Sequence, residues 1–211
     1  MSIGPVSLDR RSAVLLVVAF LLSVVTVPLA GGRLSALAEL RISQPWLLLA
    51  SLSVQVSVVS LWPDADPVLL AVGHVASYAF IVLFLLANRD MPGLWLVSVG
   101  TAMNLTAIVA NGGVMPATRA ALEAAGRLPT SEAFANSTIV QHAQLKFLGD
   151  VFAWPEPLPL ANVFSAGDIC IVIGAVMVVH QICGSRLAPP SRPRSSRRPL
   201  KPMRGERSPQ V

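Results

Sequence analysis

The stretch "LGDVFAWPEPLPLANVFSAGDICIVIG" carries two aspartates, Asp150 and Asp168, on either side of a proline-rich connection. Two carboxylates held at short range cannot both ionise, so they share a proton and one of them titrates late. Such a pair can take a proton from water with one member and protonate a leaving group with the other. Asn111, which opens "NGGVMP", and His142 fall on the same side of the chain's organisation and are the candidate assisting groups. Each aspartate alone also has a plain structural role. Asp168 opens an apolar run, where it can cap a helix or favour its positive end, and Asp150 can simply be solvated.

Other polar residues interrupt apolar runs. Thr101, Asn104 and Asn111 share one helical face, and Gln55, His74, Tyr78 and His180 punctuate further runs. Hydrogen bonding between helices is the ordinary use of such residues. Nothing in the sequence implies a metal or a cofactor, since CxxC, HExxH and Cys/His clusters are absent. Cys170 and Cys183 lie in one apolar run, roughly 20 Å apart as helix. They cannot pair with each other and read as small buried hydrophobes.

The elements that must position these residues follow from composition. Of 211 residues 54% are hydrophobic and 13% charged, with mean hydropathy +0.65. A soluble domain carries roughly a quarter charged residues. The expected fold is all-α, a membrane bundle of five transmembrane helices at about 12–30, 45–62, 67–87, 92–110 and 164–183, each run near the length that crosses a bilayer. Residues 1–11 form an N-terminal extension, and 12–184 the membrane domain. The first run could instead be a cleaved signal peptide, but its apolar length and the following "GGRL" favour a retained span. The 111–163 segment is expected to be an outer loop of two helices, the second opening at Thr130 and Ser131. Pro155, Pro157 and Pro159 then force an extended return to the membrane.

Charge sets the expected orientation. The net charge is +5, but the segment from Arg186 onward holds 8 of the 16 basic residues against Glu206 alone. The rest of the chain carries 8 basic and 10 acidic residues, a charge of −2, so a nucleic-acid binding surface is not implied. Residues 185–211 are expected to form a disordered basic tail on the cytoplasmic side, lying against anionic lipid headgroups. The links 31–44 and 88–91 then face the cytoplasm, and "PDAD", 111–163 and the N-terminus face outside. The lipid bilayer of the plasma membrane is the expected partner.

Two resemblances bear on this reading. The stretches "GGRLSALAELRI", "NGGVMP" and "LKFLGDVFAWPEPLPLANVFSAGDICIVIG", with His142 between them, resemble an uncharacterised bacterial membrane family, domain-of-unknown-function family 5317. That resemblance implies fold and location and no activity. Residues 148–174 also resemble the end of the lipoprotein signal peptidases, membrane aspartyl proteases, with Asp150, Phe164, Asp168, Ile171 and Gly174 at matching offsets. The resemblance implies a catalytic role for Asp150 and Asp168. The chain departs from that pattern at Ser165, where the family has asparagine, and at Gly167, where it has alanine. It also lacks the upstream Gly-Asn and Asp-Arg stretch and shows five apolar runs where that family has four spans. The sequence therefore favours a non-catalytic membrane component that binds lipid or a partner. Two alternatives remain open: a membrane-surface aspartyl hydrolase using Asp150 and Asp168, with Asn111 or His142 assisting, and a small transporter.

Overall fold

A computed structural model of the chain describes residues 10–61, 65–128, 137–156, 158 and 161–188, with side chains described from Phe20. The elements run α1 (Arg10–Leu29), α2 (Trp46–Val56), α3 (Pro67–Ala87), α4 (Leu94–Ala110), β1 (Met115–Pro116), α5 (Arg119–Ala124), β2 (Ser137–Thr138), β3 (Asp150–Trp154), β4 (Asn162–Ser165) and α6 (Ala166–Ile182). Asp66 opens α3 by accepting the amides of Val68 and Leu69, with Pro67 in the first helical position. A proline there loses no helical hydrogen bond. Gly93, at φ +82°, starts α4, and Ser165 caps α6.

The five-span all-α bundle is not what the chain builds. Among the described residues, α3 is the one helix both long and apolar enough to cross a bilayer, with mean hydropathy 2.3 over its best window. The other runs lose their ends to local chemistry. The run from 45 gives only 11 helical residues before a π-helical turn at Ser57–Leu61. The run from 92 spends Pro92 and Gly93 on a turn, leaving 17 residues of helix. The run from 164 spends Phe164 and Ser165 on β4, leaving another 17.

The expected two-helix loop is also corrected. Among the described residues of this segment stand one short α-helix, α5, a 3-10 turn at Lys146–Leu148, and two two-stranded sheets, β1–β2 parallel and β3–β4 antiparallel. Thr130 and Ser131 lie outside the described residues. His142 stands in a turn, and Asp150 begins a strand where a helix end was expected. The 155–161 connection closes the β3–β4 ribbon. Pro157 and Pro159 within it, and the basic tail beyond 188, lie outside the described residues.

Packing brings the ribbon to the helices. α4 and α6 touch along a seam of small residues. A Cβ on Gly100 would sit 2.4 Å from the Gly167 carbonyl, and one on Gly174 would sit 2.7 Å from the Val97 amide nitrogen. Any larger side chain would force the helices apart. Ala121 and Leu122 of α5, with Ala125 just after it, pack against Val163 and Ala153 of the ribbon. Val75 and Tyr78 of α3, with Leu148, pack on Ala107, Ile108 and Met115. At the other end of the helices, His180 Nε2 meets Thr26 Oγ1 at 3.1 Å and its Nδ1 meets Ser185 Oγ at 2.8 Å, tying α6 to α1.

Candidate functional site

Ser165 and Asp168 form a reciprocal cap at the start of α6. The Ser165 hydroxyl accepts the Asp168 amide at 3.0 Å, and the Ser165 amide donates to Asp168 Oδ2 at 2.9 Å. This is the capping box expected of a Ser-x-x-acid sequence. Asp168 is therefore the third residue of the helix, and Ser165 is the cap. Asn104 of α4 reaches the same place. Its Nδ2 donates to Asp168 Oδ1 at 2.7 Å, and its Oδ1 accepts from Ser165 Oγ at 2.8 Å. The approach depends on Gly167, since a Cβ there would fall 2.0 Å from Asn104 Oδ1. Both Asp168 oxygens act as acceptors, and each keeps a further lone pair for another donor.

Asp150 is brought opposite this cap by strand pairing. In the β3–β4 register Asp150 is the partner of Ser165, with a bulge between Asp150 and Phe152. A bulge re-aims side chains. Here Asp150 is buried at 4% exposure while Phe152 and Trp154 are more than two-fifths exposed. The Asp150 carbonyl accepts from the Thr118 amide at 3.1 Å, and its Oδ2 accepts from the Ser137 hydroxyl of β2. Gly149 is required just before it, because a Cβ would sit 2.2 Å from the Pro116 carbonyl oxygen.

The electrostatics are asymmetric. Burial pushes the Asp150 carboxyl up from 3.8 to about 7; the Ser137 hydrogen bond opposes this, the negative Asp168 adds to it, and Arg127 opposes it. Arg127 also donates to the Asn162 side-chain oxygen. Tyr78, the chain's single tyrosine, shares a hydrogen bond with Asn104 and lies within electrostatic reach of both carboxylates. His74 stands edge-on to it, ring centroids 5.7 Å apart, and its Nδ1 donates to the Gly113 carbonyl at 2.7 Å.

The structure thus sets Asp150 opposite the Ser165–Asp168 cap, within electrostatic reach of Asp168, and leaves the other two candidates elsewhere. Asn111 clasps a turn: its Nδ2 donates to the carbonyls of Ala107 and Gln144, and its Oδ1 accepts from the Gln144 amide. His142 is exposed in that same turn. Neither is bonded to the carboxylates among the described contacts. Ser137 and Arg127 are neighbours that the sequence did not mark, Ser165 stood out only as a departure from the peptidase pattern, and Asn104 and Tyr78 only as residues for hydrogen bonding between helices. The signal for Ser165 was present in "SAGD". Nothing in the sequence marked Asn104 apart from the other amides within apolar runs. Among the described residues no three His, Cys, Asp or Glu side chains gather as a metal site.

A family model described as "Family of unknown function (DUF5317)" matches residues 39–180, two thirds of the chain. The chain belongs to this family. The family match includes Asn104, Asp150, Ser165 and Asp168, and it leaves α1 and most of "GGRLSALAELRI" outside. No curated protein and no solved structure matches the chain.

Proposed function

We propose that this DUF5317 protein is a membrane-embedded aspartyl hydrolase in which Asp150 and Asp168 are the acid and base. The observation that carries this reading is the buried Asp150 carboxyl, set across one strand rung from the residue whose amide and hydroxyl hold Asp168. Asp150, pushed up to about 7, keeps a proton near neutral pH, while Asp168 is held as an acceptor. Hydrolysis of an amide follows from that division. Asp168 takes a proton from water as the water oxygen bonds to the carbonyl carbon. Asp150 gives its proton to the carbonyl oxygen. The proton on Asp168 then passes to the leaving nitrogen as the C–N bond breaks, and one hydroxyl of the intermediate returns its proton to Asp150 as the carbonyl re-forms. This placement favours hydrolysis over the non-catalytic and transport alternatives, neither of which requires two neighbouring carboxyls.

Membrane embedding is supported by α3 and by apolar side chains that face outward along the helices, among them Leu49, Leu52, Val68, Leu69, Val72 and Trp95, each at least 60% exposed. An apolar groove of about 660 Å³ beside α3, lined by Val68, Ala71, Val72, Val75 and Val109, points the same way. Arg33, Arg41 and Arg89 and the basic tail support a cytoplasmic C-terminus and outside N-terminus at the plasma membrane, the tail against anionic lipid.

The test is a comparison of membranes from cells making wild type, Asp150→Asn or Asp168→Asn, by mass spectrometry of newly formed protein termini. Termini present with wild type and lost with both variants, at equal protein abundance, are expected. The same termini in all three membranes would refute the hydrolase.

A further inference from the structure

The ribbon that carries Asp150 has an aromatic outward face, Phe152, Phe164 and Trp154, closed at its far end by the buried Asn162 opposite Trp154, which Arg127 holds. Phe152 is 43% exposed and Trp154 41%. Phe164 stacks on Phe152 with ring centroids 5.5 Å apart. A short ribbon with open edges and exposed aromatics invites association in water, and proteins ordinarily guard such strands with lysine, proline or a covering element. Among the described residues Pro155 at the ribbon's end is the one guard of that kind, and α5 packs on the inner face.

The helices fix the ribbon's height. α3 has 21 residues, about 31 Å of helix. Tyr78, the hydrogen-bond partner of Asn104, lies eleven residues into it, roughly 16 Å from its start and so about halfway along. Asn104 holds Asp168, and Asp150 pairs with the cap of that helix. Leu148, two residues before Asp150, packs on the same cluster as Tyr78. The strand therefore begins beside the middle of α3. Trp154 is four residues further along it, about 13 Å away in extended chain.

We infer that the outward face of the β3–β4 ribbon, Phe152, Phe164 and Trp154, is seated in the bilayer, with Trp154 at the headgroup–acyl boundary. The inference rests on the bilayer reading of α3. Irregular backbone at this depth is tolerated where its polar groups are satisfied by protein, and the paired strands, Thr118 and Ser137 do this for β3. Tryptophan suits the boundary, with an apolar body and a polar tip. The consequence concerns the substrate. With α5 on one face of the ribbon and lipid on the other, the acid pair receives a chain segment from within the leaflet.

Trp154 reports this directly. The full chain is reconstituted in vesicles of phosphatidylcholine and phosphatidylglycerol whose acyl chains carry bromine at either a shallow or a deep position. Trp46, Trp62 and Trp95 are replaced by phenylalanine. A second preparation keeps all four tryptophans, and its difference from Trp154→Phe isolates the same signal if the triple replacement does not fold. The expected result is stronger quenching of Trp154 by shallow than by deep bromine, with protection from aqueous iodide. Iodide quenching equal to that of free tryptophan, with no effect of bromine, would overturn the inference. If α3 is nonetheless protease-protected in those vesicles, the acid pair stands and only the ribbon's seat fails. Loss of α3 insertion would remove the bilayer reading under both.

Discussion

In the proposed hydrolase Asp150 and Asp168 divide the work because their surroundings differ. Asp150 is buried and titrates late, so the folded protein binds its proton more tightly than the unfolded chain does. The sign follows: its contribution favours the fold at low pH and declines as pH rises from about 4 to about 7. Asp150→Asn keeps the shape and the acceptor for Ser137 while removing the buried charge. The variant should therefore be at least as stable as wild type at pH 8 and lose its relative advantage near pH 4, read as the difference in Tm across that range. A Tm difference independent of pH would show that Asp150 titrates normally. The aspartates themselves were legible, because acids beside apolar runs are costly. They were also read as a candidate pair, but the strand register that sets Asp150 opposite Ser165 was not foreseen, since no local pattern announces it.

At the scale of elements, the site depends on how closely α4 and α6 approach. Gly167→Ala adds a methyl group where Asn104 Oδ1 lies at 2.0 Å from the ideal Cβ position, and should cost about 1–3 kcal/mol by overpacking. Asn104→Leu removes the partner of both Asp168 and Ser165, and should cost a similar amount, about 1–3 kcal/mol, by leaving buried polar groups unpaired. Thermal unfolding in nanodiscs measures both, and an unchanged Tm in either would mean that the seam is not packed as described. Apolar runs were read as whole helices, but Gly93, the π-helical turn after Val56 and the Ser165 cap shorten them. The segment 137–150 contains good helix formers, yet it pairs as strand and turn because Asp150 and Ser137 find tertiary partners.

For the whole molecule, the distribution of arginine and the exposed apolar sides of the helices support one orientation. A cysteine at Ala124, which is exposed on α5, should react with an impermeant thiol reagent in intact cells, and one at Ser195 should not. The comparison is made in a Cys170→Ser, Cys183→Ser background. Reversed labelling would invert the topology and move the acid pair to the cytoplasmic side. Removing residues 189–211 should leave the protein inserted while weakening its attraction to anionic vesicles, by up to about 1 kcal/mol for each basic residue lost. Failure to insert would make the tail topogenic. The strongly apolar character of the helices was legible from composition. The ribbon inserted among the helices was not, because its alternation covers only four or five residues in each strand.

The proton on Asp150 is the centre of the account. Side-chain carbon-13 labelling of aspartate, followed by NMR titration in nanodiscs and assigned by Asp150→Asn, measures it directly. One carboxyl should titrate near pH 7 in wild type, be absent in Asp150→Asn, and shift downward in Asp168→Asn as the neighbouring charge is removed. A wild-type Asp150 that titrates near pH 4, or one that Asp168→Asn leaves unmoved, would contradict it.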